Sequence, residues 1–148
     1  MFRGRNSHTI DKKGRVSIPA GFRVALQSSE NPPILTIDQK CLALYSHEDF
    51  ADMENGVGSD PGTAMQPELE EFLRVLVGNA IEAPIDRQGR ILIPSHLREH
   101  ANLQHKVVIA GVGRRIEIWD QAAYEYEQAR TLQRFPEIKA AVAARRGS

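Results

Sequence analysis

Apolar positions along the chain change their spacing in a way that marks out short strands alternating with short helices. Val16 and Ile18 stand two apart, and Ile10 lies across the polar run Asp11-Lys12-Lys13-Gly14-Arg15. That is the pattern of two extended segments joined by a turn, so 9–11 and 16–18 are predicted to form a hairpin or looped strand pair. Pro19 suits the first position of a helix over 20–26, and Pro94 suits the same position for 95–101. Apolar runs at 34–37 and 41–45 bracket Asp38-Gln39-Lys40, while runs at 107–110 and 115–119 bracket a glycine-containing turn. All four runs predict strands. Ser46, with Asp49 three residues on, forms an acidic variant of the capping box for a helix over 47–53. Asp120 is the N-cap candidate for 121–132. Over 67–77, Leu69, Phe72, Leu73, Leu76 and Val77 share one side of a helix that Gly78 stops. Asn55-Gly-Val-Gly-Ser-Asp-Pro-Gly62 reads as loop. The alanine-rich stretch after Phe135-Pro136 reads as a short helix with a frayed, arginine-bearing end.

The pattern occurs twice. Ile10-Asp-Lys-Lys-Gly-Arg-Val-Ser-Ile-Pro19 returns as Ile85-Asp-Arg-Gln-Gly-Arg-Ile-Leu-Ile-Pro94, at an offset of 75. Phe22 and Arg23 then match Leu97 and Arg98. After a slip of one residue, Leu42, Leu44, Tyr45 and Phe50 match Ile116, Ile118, Trp119 and Tyr124. The chain is a tandem duplication of a unit of about 50 residues, the kind of self-similarity that governs a fold when present. We divide it into a first module over 1–54, a loop and connecting helix over 55–80, a second module over 81–125 and a helical tail over 126–148.

Composition adds little to this until it is resolved along the chain. At 148 residues, with 41% hydrophobic and 26% charged side chains, the chain has the makeup of a globular protein. No run approaches the roughly 18 apolar residues of a membrane span, and the charged N-terminus lacks the apolar core of a secretory signal. A cytoplasmic protein is expected. The lone Cys41 has no partner for an internal disulfide. The formal net charge of +0 is a cancellation. Residues 1–30 carry +4, residues 48–71 carry eight acids and no Lys or Arg, and residues 72–148 carry +4. A neutral total therefore leaves room for an anionic partner, because binding follows the local field.

Catalytic patterns are weak. Cys41 sits in the apolar strand candidate Cys-Leu-Ala-Leu-Tyr, a setting for a buried structural thiol rather than a nucleophile. His96 and His100 have metal-ligand spacing but no intervening glutamate and no counterpart in the first unit. Neither glycine-rich stretch fits a phosphate-binding loop. The expectation is that the chain is no enzyme, with no cofactor and no metal.

The repeated turn holds the chemistry. Gly14 and Gly89 can take the positive φ that such turns require, and Asp11 and Asp86 can accept bonds from amides two residues on. These four are read as turn-forming. Lys12, Lys13 and Arg87 are expected to be exposed, where ordered cations suit phosphate contact. For Arg15 and Arg90 two readings stand side by side: an ion pair with the turn aspartate, or a donor fork offered outward to phosphate or guanine.

Met1-Phe-Arg-Gly, His8 and Asp11-Lys-Lys-Gly-Arg15 with Pro19 resemble the opening of the MraZ proteins of bacteria. Asp86-Arg-Gln-Gly-Arg90-Ile-Leu-Ile-Pro94 resembles that family's second D-x-x-x-R box. The resemblance implies an α+β, β-rich chain of two tandem swapped-hairpin AbrB-like modules, forming an intramolecular pseudo-dimer barrel with flanking helices. It further implies a nucleoid-associated DNA-binding transcriptional regulator, of repressor type, of the division and cell wall gene cluster. Such a protein forms a ring homo-oligomer and binds short direct repeats in promoter DNA. Arg15 and Arg90 become the leading DNA contacts, supported by Arg3, Arg5, Lys12, Lys13 and Arg87. Gln88 stands where the first box has Lys13, so the two boxes need not contribute equally. Two other classes stay open at this point: an antitoxin-type module whose tail grips a protein, and an enzyme.

Overall fold

A computed structural model of the chain describes residues 1–58 and 66–147. Its first half runs β1 (Phe2–Thr9), β2 (Arg15–Ser17), α1 (Ala20–Leu26), β3 (Ile34–Ile37), β4 (Leu42–Tyr45), α2 (His47–Gly58) and α3 (Pro67–Leu76). Its second half runs β5 (Ile81–Glu82), β6 (Arg90–Leu92), α4 (Ser95–His100), β7 (Lys106–Gly113), β8 (Arg115–Asp120), α5 (Gln121–Gln133) and α6 (Phe135–Gly147). The fold is α+β, with antiparallel pairing throughout its described strands.

Six strands form one sheet in the order β1-β7-β8-β4-β3-β5, and β2 and β6 form a separate two-stranded ribbon. The six-strand order is a palindrome of the duplication: β1-β7-β8 from one side answers β5-β3-β4 from the other. Its centre is the β4–β8 pair, where Leu42 faces Ile118, Ala43 faces Glu117 and Leu44 faces Ile116. The ribbon has the same symmetry, with Arg15 opposite Leu92, Val16 opposite Ile91 and Ser17 opposite Arg90. Strands of the two repeats thus interleave, and each repeat completes the other's sheet.

The alternation of side chains decides what each strand buries. In the ribbon Val16 and Ile91 turn inward at 1% exposure each. They join Ile18, Ile93, Leu26 and Leu97, together with Leu35, Leu42, Leu44, Ile109, Ile116 and Ile118 from the sheet, in one core. Each such aliphatic side chain contributes roughly 1.5–3 kcal/mol on burial. Both repeats contribute to this core.

Several expectations change. The anticipated barrel does not close among the described residues: the sheet keeps two edges, β1 and β5. β5 pairs with β3 over only two residues, and Pro84 just beyond it has no N–H to extend a ladder. The strands around the first turn do not pair with each other. The turn itself closes, the Asp11 amide donating to the Arg15 carbonyl at 2.9 Å, but β1 then pairs with β7 over eight residues while β2 pairs with β6. Helix α2 runs on through Asn55-Gly56-Val57 to Gly58, where a loop was expected. Glycine costs a helix about 1 kcal/mol, a penalty that continued backbone bonding can offset once a helix is nucleated. The rest of that expected loop, 59–62, lies outside the described residues. Ser46 caps α2 as anticipated, its Oγ accepting from the Asp49 amide at 3.1 Å. Asp120 stands at the N-cap of α5 but turns its carboxylate to the Gln104 amide instead, at 3.2 Å.

Candidate functional site

The two D-x-x-G-R turns are built alike. In the first, Asp11 Oδ1 accepts the amides of Lys13 at 3.0 Å and Arg15 at 2.8 Å, and Oδ2 accepts Arg15 Nε at 2.8 Å. In the second, Asp86 Oδ1 accepts the amides of Gln88 and Arg90, each at 2.9 Å, and Oδ2 accepts Arg90 Nε at 3.2 Å. Both carboxyls are held below their ordinary range, first by the backbone amide of the arginine and then by its guanidinium and the neighbouring amide, against a smaller opposing effect of desolvation. Each aspartate is thus a fixed anion that shapes the turn and orients the arginine through Nε. The two readings left open for Arg15 and Arg90 are compatible: the pair with aspartate uses Nε, and no partner within the described residues takes the terminal nitrogens.

Glycine closes each turn because nothing else fits. Gly14 has φ +91° and Gly89 has φ +79°, a region that side chains disfavour. The Gly14 amide donates to the Asp11 carbonyl at 3.0 Å, and the Gly89 amide does the same to Asp86. The carbonyls of both glycines then reach across the ribbon. Ile93 N–H donates to Gly14 O at 2.8 Å, and Ile18 N–H donates to Gly89 O at 2.9 Å. Each turn is therefore locked to the strand of the other repeat.

This interlock places the arginines together. Residues 15 and 17 share one face of β2, residues 90 and 92 share one face of β6, and directly opposed residues point the same way. Since Val16 and Ile91 face inward, Arg15, Ser17, Arg90 and Leu92 form the outward face. Arg15 and Arg90 sit on its diagonal, roughly 8 Å apart at Cα by strand spacing. Lys12, Lys13 and Arg87 are exposed on the adjoining turns, as expected from the sequence.

Two further arginines belong here and escaped the sequence reading. The Arg98 guanidinium packs against Gly14, and that of Arg23 packs against Gly89, each contributed by the opposite repeat. Their Nε atoms are buried without a hydrogen-bond partner, and neither side chain meets a carboxylate within the described residues. The signal existed, since Arg23 and Arg98 match at the offset of 75. What it lacked was the cross-repeat pairing that carries each of them to a turn.

Arg3 and Arg5 are not part of this cluster. They lie on β1, eight and six residues before Asp11, which is roughly 20–27 Å of extended chain. Arg5 instead stacks on the Tyr124 ring of α5, 4.8 Å from its centroid.

Metal-type chemistry finds poor ground. Asp38, Cys41 and Glu117 bring their ligand atoms within 4.8 Å of one another. Arg115 already occupies that group, its Nη2 2.8 Å from Glu117 and its Nε 3.8 Å from Asp38. Burial, with the adjacent carboxylates, pushes the Cys41 thiol up and keeps it protonated. The His100 ring places Nε2 2.6 Å from the Asp38 carbonyl oxygen. No helix among the described residues is long and apolar enough to cross a membrane.

The class defined so far is a duplicated α+β chain displaying paired cationic turns on one ribbon. Its sequence matches the family described as "MraZ protein, putative antitoxin-like" over residues 1–67 and 76–145, and the chain belongs to that family. The transcriptional regulator MraZ of Caldanaerobacter subterraneus subsp. tengcongensis is 40% identical over 138 residues, 93% of this chain and 94% of its own length. That of Acetivibrio thermocellus is 41% identical over 126 residues, 84% and 85% of the two lengths. That of Hydrogenovibrio crunogenus is 38% identical over 135 residues, 89% and 88% of the two lengths. These relatives are named as transcriptional regulators, not as enzymes.

Proposed function

We propose that this chain is a DNA-binding transcriptional regulator that reads promoter DNA with the outward face of the β2–β6 ribbon. The observation that carries the proposal is the pair of aspartate-anchored turns, which direct Arg15 and Arg90 to one side with their terminal nitrogens unengaged. A two-stranded ribbon is of a size that the major groove admits, and arginine forks suit guanine edges there. Lys12, Lys13 and Arg87 would contact phosphates beside it, and Arg23 and Arg98 add charge behind the turns. In this reading the modules over 1–54 and 81–125 are AbrB-like swapped hairpins joined as an intramolecular pseudo-dimer. Residues 55–80 connect them, and 126–148 form a tail. Arg3 and Arg5, being distant from the ribbon, would act on DNA only as outlying phosphate contacts.

One ribbon offers few contacts, so the reading includes assembly. A cytoplasmic, nucleoid-associated ring homo-oligomer would present successive ribbons to short direct repeats at high effective concentration. Its operator would lie in the promoter of the division and cell wall gene cluster, and occupancy there would repress transcription.

The test is a gel-shift titration of the chain on its own upstream DNA across salt concentrations. Arg15→Ala and Arg90→Ala should each cost about 1–3 kcal/mol of specific binding, roughly fivefold to a hundredfold. Unchanged affinity in both variants, with assembly intact, would overturn the assignment.

A further inference from the structure

Helix α6 buries almost nothing. Of its thirteen residues all but Ile138 are exposed, Phe135 and Val142 at 50% and 49%. Isolated helices of about 12–15 residues are marginal in water, so a helix this bare needs a surface to lie on. At 100° per residue, Phe135, Ile138, Lys139, Val142 and Arg146 fall on one stripe. The stripe is apolar at its start and basic toward its end.

Helix α3 carries the matching surface. Its Leu76 end packs into the protein, the Leu76 carbonyl accepting from the buried Thr36 hydroxyl at 2.5 Å. On its outer side Glu68, Glu71, Phe72 and Val75 fall at i, i+3, i+4 and i+7, with Phe72 and Val75 47% and 50% exposed. This stripe is acidic at its start and apolar toward its end. Nearby α2 adds acids and no Lys or Arg, of which Asp49 and Asp52 are taken up by Arg114.

We propose that α6 of one subunit packs antiparallel on α3 of the next, making the joint between copies of this chain. Antiparallel alignment sets Phe135 and Ile138 against Phe72 and Val75, and Lys139 and Arg146 against Glu71 and Glu68. It also opposes the two helix dipoles. The contact runs between chains. Within one chain α3 packs on β3, whereas α6 follows α5, which packs on β7 and β8. Two different faces of one molecule define a head-to-tail interface, which closes into a ring when the rotation allows. The inference rests on the assembly part of the proposed function and supplies its joint. It also gives the acidic middle and the basic tail of the sequence a single purpose.

Sedimentation velocity on the full chain tests it. Lys139→Glu with Arg146→Glu reverses the arm, and Glu68→Lys with Glu71→Lys reverses the cradle. Each pair alone should weaken self-association at least tenfold, shifting mass toward a single chain, while the far-UV circular dichroism and melting stay native. All four changes in one chain should restore the assembly, a recovery that misfolding cannot mimic. If the wild type assembles and the single-face reversals leave its mass unchanged, or the fourfold variant fails to recover, the joint is wrong and the ring stands. If the wild type sediments as one chain at all concentrations, the ring fails and the joint with it. Binding of a duplex carrying one repeat, which needs no assembly, reports on the DNA reading separately.

Discussion

At the β2–β6 ribbon the two repeats correspond bond for bond: each glycine carbonyl accepts an isoleucine amide from the other repeat, and each aspartate holds its own arginine. At the sheet edges they do not. β1 pairs with β7 over eight residues, whereas β5 pairs with β3 over two. The helices diverge as well. Phe50 of α2 is buried against Tyr45, while its counterpart Tyr124 is partly exposed, packing on Trp119 and taking Arg5 on its face. Where copy meets copy, a change in one repeat has to be matched by the other, as in any self-complementary interface. Toward the flanks each copy meets different neighbours and is free to change. A ribbon kept regular in this way presents two equivalent turns.

The largest effects should come from breaking that equivalence in the core. Ile18→Ala and Ile93→Ala each remove a fully buried side chain next to the ribbon and should each cost about 2–5 kcal/mol, by amounts similar to each other. Phe50→Ala should cost about 3–5 kcal/mol, and Tyr124→Ala distinctly less, since its ring is only partly covered. Urea unfolding midpoints at constant slope measure all four. A large gap between the isoleucines, or none between the aromatics, would erase the contrast between centre and flanks.

Glycine replacement sharpens the comparison within the ribbon. Gly14→Ala and Gly89→Ala both place a side chain at positive φ, at about 1–2 kcal/mol each. The new methyl at 14 would also stand 2.5 Å from the Ile93 carbonyl oxygen, which is backbone and cannot step aside. At 89 it would meet the Arg23 guanidinium, the end of a flexible side chain. Gly14→Ala should therefore be the more destabilising by about 1 kcal/mol or more. Gly89→Ala should instead displace Arg23 and weaken DNA binding out of proportion to its stability loss. Unfolding and gel-shift titrations on the same preparations decide this.

Local features of the fold were legible. The helices at Ala20–Leu26 and Pro67–Leu76, the strand at Ile34–Ile37 and the Ser46 cap all follow from spacing and chemistry within a few residues. Partnership was not. Phe2-Arg-Gly-Arg-Asn-Ser-His-Thr shows no apolar alternation, because β1 lies at a sheet edge and is fixed by pairing with a strand a hundred residues away. The same gap hid Arg23 and Arg98. Their repeat match was plain, but only the crossing of β2 over β6 shows that each stands behind the other repeat's glycine. The turn cations were readable because aspartate, glycine and arginine form that turn from within five residues.

The one charged difference between the turns offers a smaller, directional test. Lys13 has Gln88 as its counterpart. If both turns touch phosphate, Lys13→Gln should lower the slope of log affinity against log salt by about one, and Gln88→Lys should raise it by about one. Opposite shifts of similar size would show two equivalent turns on DNA. A response to Lys13→Gln alone would leave the first turn as the only contact.

The smallest effect is the acid titration of the two turns, and it bears on every arginine variant above. Asp11 and Asp86 are held below the ordinary carboxylate range, first by the amides of Arg15 and Arg90. A carboxyl whose folded pKa is depressed adds stability above its unfolded value of about 3.9, and that stability is lost as pH falls through the lower folded value. Carboxyl-carbon NMR should find both midpoints below about 3.9. The amide of residue 15 survives any substitution except proline, so Arg15→Ala should leave Asp11 still depressed, though less so. The turn would then outlast its guanidinium, and the lost DNA binding of that variant would reflect a lost contact. If Asp11 returned fully to the ordinary range, the guanidinium would be holding the turn together. Arg15→Ala would then report on the turn's shape, and Arg15→Lys, which keeps the charge, would be needed to isolate the contact.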